Sequence, residues 1–110
     1  MSKNFTIKTE RIGFSKIGDR MIDLNYLTSG DFDKIIFDLS RLKFVTPSGL
    51  CYFIACIQSL SDQLGKDKLE IIMPHNNSTN NYLTRMKFLE TLNLNDDNYI
   101  NINDCSQNLL

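Results

Sequence analysis

"DKIIFDLSRLKFVTPSGLCYFIACIQSLSDQLG", residues 33 to 65, is the stretch that decides the fold. It opens with three consecutive apolar β-formers, Ile35, Ile36 and Phe37. A continuous rather than alternating run predicts a strand covered on both faces, as in an α/β sheet. A short link, "RLKFV", leads to Thr46, Pro47, Ser48 and Gly49. Thr46 is a favoured N-cap, and Pro47 suits the first helical position, where its missing N–H costs nothing. From Leu50, apolar residues fall at 50, 53, 54, 57, 60 and 64, a helical stripe. Cys51, Tyr52, Ala55 and Cys56 fill the other side of the first turns, so that end of the helix is deeply inserted or covered by a partner. Gly65 is a natural C-terminal cap.

The flanking segments extend the alternation. "NFTIK" reads as a first strand, and "ERIGFSKIG" is ambiguous. "DRMIDLNYL", residues 19 to 27, fits a strand through Ile22, Leu24 and Tyr26 or a helix through Ile17, Met21, Leu24 and Leu27. We prefer a short helix capped by Asp19 and ended by "TSGD". "KLEIIMP", 68 to 74, is a strand ended by Pro74, and "HNNSTNN" is a loop. "NYLTRMKFLETLN" predicts one helix with Leu83, Met86, Leu89 and Leu92 on one face. "NYININ", 98 to 103, predicts an edge strand. A frayed tail from Asp104 follows. Strands alternating with helices imply an α/β fold with parallel pairs, in a single small mixed sheet of about four strands with helices packed on it. The 110 residues make one domain, with a strand and short helix in 1–32 and the core in 33–95.

Composition narrows the function classes. Net charge is −1, so no global attraction to nucleic acid or anionic membrane is expected. No run reaches membrane-spanning length, and "MSKNFTIK" has no apolar signal region, which predicts a cytoplasmic protein. Cys51, Cys56 and Cys105 make an odd set. Five residues apart on a helix, Cys51 and Cys56 point ~140° apart and cannot easily bridge or share a metal. Buried, inert thiols are expected.

Chemistry-bearing residues are sparse. His75, the single histidine, has no Cys or acid at ligand spacing. No Ser/His/Asp or Cys/His set assembles, and no glycine-rich phosphate loop is present. Asp31 and Asp33 read as turn residues, and the Asp96–Asp97 pair as a turn before the last strand. Asp38 is placed to accept amides from the loop after its strand. Neither metal nor cofactor is expected. The remaining feature is the helix mouth. Ser48 is the second helical residue and Gly49 the third, where free amides and the positive end of the helix dipole gather. Such a mouth tolerates an anion, or a phosphate carried on Ser48 itself.

"IIFDLSRLKFVTPSGLCYFI" resembles the central segment of STAS domains, the fold of bacterial anti-sigma factor antagonists. There a buried strand ends in aspartate, and an aspartate, two hydroxyl residues, Gly and Leu or Ile open the next helix. "KLEIIMP" and "YLTRMKFLETLNL" resemble the strand and helix that follow, so the likeness spans about residues 33 to 95. In the phosphorylatable antagonists the hydroxyl residue before the Gly receives phosphate from an anti-sigma kinase, which implies Ser48 as phosphoacceptor. Thr46 stands where the family has Asp, and Pro47 where it has the first hydroxyl residue. A closer likeness is to the STAS-like segment that accompanies histidine-kinase-type (GHKL) ATPases. There a Thr-Pro-x-Gly-Leu turn and a Tyr-Leu-x-Arg-Met-x-Phe helix recur together, matched here by Thr46 to Leu50 and Tyr82 to Phe88.

The resemblance implies a non-enzymatic regulatory module that binds a GHKL-fold ATPase or anti-sigma kinase, in cis or in trans. Thr46, Pro47, Ser48, Gly49 and Leu50 would form the docking or anion-binding surface. Asp38 and Arg85 would support it, with Arg85 either solvated or reaching Asp38 or a carbonyl near the turn. The alternatives are a small-ligand or nucleotide sensor using the same helix mouth, an excised regulatory domain of a larger ATPase, and an enzyme. A homodimer is a further expectation, through Cys51, Tyr52 and Cys56 or through the last strand's edge.

Overall fold

A computed structural model describes residues 3–13, 16–17 and 23–100. The expected Asp19 cap, Met21, Ile22, residues 101–103 of the last strand, Cys105 and the tail from Asp104 lie outside the described residues.

Four parallel strands form the main sheet in the order β1 (Asn4–Lys8), β4 (Lys34–Asp38), β6 (Leu69–Ile72) and β7 (Tyr99–Ile100). Each strand lies beside the previous one of this sheet, so every crossover steps in the same direction. Crossovers of this kind are right-handed, which puts the connecting helices on one face. The side chains report that asymmetry. Ile35, Phe37, Leu69 and Ile71 are fully buried, whereas Lys34, Ile36, Asp38, Glu70 and Ile72 alternate with them and are half-buried. The expectation that residues 35 to 37 are covered on both faces is therefore corrected. Ile36 faces the side on which no described helix packs.

The expected single mixed sheet is divided. "ERIGFSKIG" supplies β2 (Arg11–Gly13) and β3 (Lys16–Ile17), paired antiparallel. The link after Asp38 supplies β5 (Phe44–Val45), which runs parallel to β2 with Arg11 opposite Phe44 and Ile12 opposite Val45. Fully buried Ile12 ties this small sheet to the core.

Helix α1 (Leu24–Ser29) begins at Asp23, whose carboxylate accepts from the Tyr26 N–H at 3.0 Å. Its start is later than the pattern over 19 to 27 suggests. Helix α2 (Pro47–Leu64) follows its predicted stripe, burying Leu50, Phe53, Ile57 and Leu60. It ends at Gly65, where φ is 91°.

The helix expected over 81 to 93 is two, α3 (Asn77–Arg85), which starts inside the expected loop "HNNSTNN", and α4 (Phe88–Leu92). Lys87 separates them in the left-handed region at φ 60°. The break turns Phe88 inward, where its ring stacks on Phe53 with centroids 6.0 Å apart. Phe53 in turn meets Phe37 edge-on at 5.3 Å. Met86 and Leu89, predicted to be on the apolar face, are 42% and 38% exposed. A left-handed residue costs about 1–2 kcal/mol, less than the roughly 3–5 kcal/mol that a buried Phe ring contributes. Behind α4, buried Asn98 fixes the approach to β7. Its Nδ2 donates to the carbonyls of Lys66 and Leu69 at 2.8 and 2.7 Å, and its Oδ1 accepts from Asn95 N–H at 2.8 Å.

Candidate functional site

The mouth of α2 is built by strand β2. Thr46 N–H donates to the Ile12 carbonyl at 2.9 Å, which fixes the chain just before the helix. Thr46 is then the N-cap, its Oγ1 accepting from Gly49 N–H at 3.0 Å, while Leu50 N–H bonds the Thr46 carbonyl at 2.8 Å. Gly49 lies directly on β2: a Cβ there would meet the Gly13 carbonyl oxygen at 2.5 Å and the Ile12 oxygen at 2.7 Å. Only a residue without a side chain allows α2 to start this close to the strand.

These contacts sort the predicted surface. Gly49 and Leu50 are buried, and Thr46 is half-buried with its hydroxyl engaged. Pro47 and Ser48 are exposed. The Ser48 hydroxyl makes no hydrogen bond with the described residues. The expected cluster of free amides is reduced. Pro47 has none, and those of Gly49 and Leu50 are committed, which leaves the amide of Ser48. The carbonyls of Ile12 and Gly13 further offset the positive end of the helix dipole. The mouth therefore presents one hydroxyl and one amide outward rather than an anion cradle.

Phe44 stands two residues before the cap, 50% exposed, with the Arg11 guanidinium 5.4 Å from its ring centroid. Sequence reading missed this pair. Its signal, an apolar residue in the short β5, gives no direction without the partner strand. Along α2, Cys51 and Ala55 are exposed, Tyr52 is half-buried and Cys56 is buried. The expectation of buried thiols is thus corrected for Cys51, which lies on the outward side of the first turn. Burial pushes the Cys56 thiol pKa up, and a hydrogen bond with Tyr52 offsets part of that rise.

Asp38 closes the loop after β4, as expected, its Oδ1 accepting from Ser40 N–H at 3.0 Å. Arg85 is exposed in the last turn of α3, and its guanidinium makes no hydrogen bond with the described residues, Asp38 included. Of the helix segment that supplied the resemblance, Leu83 and Phe88 are buried, and the Tyr82 hydroxyl is buried without a hydrogen-bond partner among the described residues.

Two adjoining open grooves lie at the carboxyl ends of β1 and β4. One, of about 500 Å³, is lined by Lys8, Thr9, Glu10, Asp38, Ser40 and Arg41. The other shares Glu10, Ser40 and Arg41 with it and adds Lys43, His75 and Asn76. Thr46 to Leu50 lie outside both linings. His75 is exposed, and its N–H donates to the Ser40 carbonyl at 3.1 Å. No group of three His, Cys, Asp or Glu side chains is placed to hold a metal among the described residues. No described helix is long and apolar enough to cross a membrane.

Comparison with known proteins gives no relative: no family model, no curated protein and no solved structure matches the chain.

Proposed function

We propose that this chain is a STAS-like regulatory module that binds a protein partner without catalysing a reaction. The partner is a GHKL-type ATPase or anti-sigma kinase, and docking centres on the start of α2. One observation carries the reading. Ser48 is exposed at a helix mouth whose neighbours are locked in place, with Gly49 pressed on β2 and Thr46 capping the helix. A rigid mount under a free hydroxyl suits recognition, because little ordering is left to occur on binding.

Two further features support it. The buried strand β4 ends in Asp38, and a short link leads from it to the Thr-Pro-Ser-Gly helix start. Exposed Phe44, held by Arg11, supplies an apolar contact beside that start. Ser48 is also the proposed phosphoacceptor. A phosphate there adds about −1.5 to −2 charges at the centre of the docking surface.

The test is titration calorimetry with a purified GHKL-type anti-sigma kinase. Ser48→Asp is expected to weaken binding and Ser48→Ala to preserve it. Equal affinity of Ser48→Asp and the unsubstituted chain would remove Ser48 from the interface.

A second reading is favoured by the two adjoining grooves, which share Arg41 and whose linings hold Lys8 in one and Lys43 with His75 in the other, beside the carboxylates of Glu10 and Asp38. A thermal-shift series with nucleotides and inorganic phosphate distinguishes it. Stabilisation without any protein partner, lost in Arg41→Ala, identifies a sensor.

A further inference from the structure

Strand β1 ends the main sheet, and no described residue pairs with its outer edge. The Lys3 carbonyl accepts from Asp33 N–H at 2.7 Å and Thr9 N–H donates to the Asp38 carbonyl at 3.3 Å. Odd-numbered residues of this strand therefore turn their backbone groups towards β4. Backbone direction alternates along a strand, so Asn4, Thr6 and Lys8 turn theirs outward. None of the three makes a hydrogen bond with a described residue beyond the pairing of β1 with β4. All three are exposed.

We propose that β1 pairs with β1 of a second copy of this chain, antiparallel, about a two-fold axis through Thr6. In that register Thr6 faces its own counterpart, and Asn4 faces the second copy's Lys8. These are all hydrogen-bonded pairs, so each outward N–H and C=O of Asn4, Thr6 and Lys8 gains a partner. Two four-stranded sheets become one continuous sheet.

The side chains select this occupant and this register. On the helix-free face, Thr meets Thr and Lys meets Asn, so no like charges oppose. On the other face, Phe5 meets the second copy's Ile7, an aromatic against a β-branched residue. Sliding the partner until Lys8 faces Lys8 would place two ammonium groups on the axis. Tyr26 adds to the apolar strip: it is 51% exposed and packs edge-on against Phe5 with ring centroids 5.5 Å apart. The two-fold arrangement closes on itself, whereas stacking β1 on β7 of another copy would run on into fibres.

A five-residue strand pair is smaller than a standard interface, so the dimer is expected to be concentration-dependent. Sedimentation velocity of the full chain, from low micromolar to several hundred micromolar, should show the mass rise from monomer towards dimer. Thr6→Pro deletes the outward N–H and leaves the pairing with β4 intact, because proline is tolerated on an edge strand. It should stay monomeric with an unchanged circular dichroism spectrum. If that variant does not fold, Thr6→Lys keeps the backbone and puts like charges on the axis. It should weaken association several-fold, less so at high salt. Hydrogen exchange at Asn4, Thr6 and Lys8 should slow as concentration rises. A wild-type chain that is monomeric throughout, or a dimer unaffected by the Thr6 substitutions, overturns the proposal. Self-association that leaves these amides unprotected does the same. Neither result bears on docking at Ser48.

Discussion

The Gly49 Cα packs so closely against Gly13 that a methyl group on it would lie 2.5 Å from the Gly13 carbonyl oxygen. That contact sets how α2 meets β2 and so where Ser48 is held. Gly49→Ala must move backbone rather than a flexible side chain, and is expected to cost about 2–3 kcal/mol. Gly13 offers the contrast: a Cβ there meets nothing within 4 Å. Gly13→Ala should therefore shift stability by no more than about 0.5 kcal/mol. Urea unfolding of both variants checks the pair, and equal effects would mean that the contact is not tight.

The cap and the exposed hydroxyl separate in the same way. Thr46→Ala removes the acceptor for Gly49 N–H and should destabilise by about 1 kcal/mol, with Thr46→Ser restoring most of it. Ser48→Ala removes a hydroxyl that holds nothing, and should stay within about 0.5 kcal/mol of the parent. Thermal unfolding reads both. A large loss in Ser48→Ala would give that hydroxyl a structural role.

How much of this was legible follows from the length of each signal. The α2 stripe covers four turns, and Thr46 with Pro47 marks its start, so helix and cap could be read directly. The strand at Ile35 to Phe37 was legible as a strand but not as one-sided. Three apolar residues in a row look alike whether Ile36 is covered or half-open, and only the strand order decides. The small sheet was not legible, because β3 and β5 have two residues each and two residues carry no period. Within the site, the identity of Ser48 was legible. The loss of free amides around it was not, because β2 approaches from thirty-odd residues away.

The break at Lys87 was also hidden, since neither Met86 nor Lys87 is a Gly or Pro. It yields opposed predictions. Lys87→Gly relieves a left-handed backbone costing about 1–2 kcal/mol, less the entropic cost of glycine, and should stabilise by roughly 0.5–1 kcal/mol. Phe88→Ala empties the stacked position on Phe53 and should destabilise by about 3–5 kcal/mol. A continuous helix through 87 would reverse the first sign. Chemical denaturation of the two variants decides it.

The two described thiols should differ in reactivity. Cys51 is exposed, whereas Cys56 is buried and its pKa is raised, chiefly by desolvation. Iodoacetamide at mildly alkaline pH should label Cys51 first in the native chain, with Cys56 following only in denaturant. The sign for stability follows. A raised folded pKa favours the neutral thiol, so its contribution is complete below the ordinary thiol pKa. It is lost as pH rises through the higher folded value. Cys56→Ala should flatten that alkaline decline. Peptide-resolved mass spectrometry and unfolding at stepped pH test the two parts.

Phosphorylation is the most exacting prediction, because the mouth of α2 gives a phosphate little help. The uncommitted amide is that of Ser48, and the carbonyls of Ile12 and Gly13 stand close by. A phosphate on Ser48 should therefore leave the stability of the chain nearly unchanged, within about 1 kcal/mol, since its favourable term is one helix terminus. Its effect should fall on the partner instead, through charge placed beside Phe44 and Pro47. Incubation with a GHKL-type anti-sigma kinase and ATP should add one phosphate by intact mass, absent in Ser48→Ala and retained in Thr46→Ser. The modified chain should unfold at nearly the parent temperature and bind that kinase more weakly. Phosphate on a different residue, or a large thermal shift without loss of binding, would remove Ser48 as the switch.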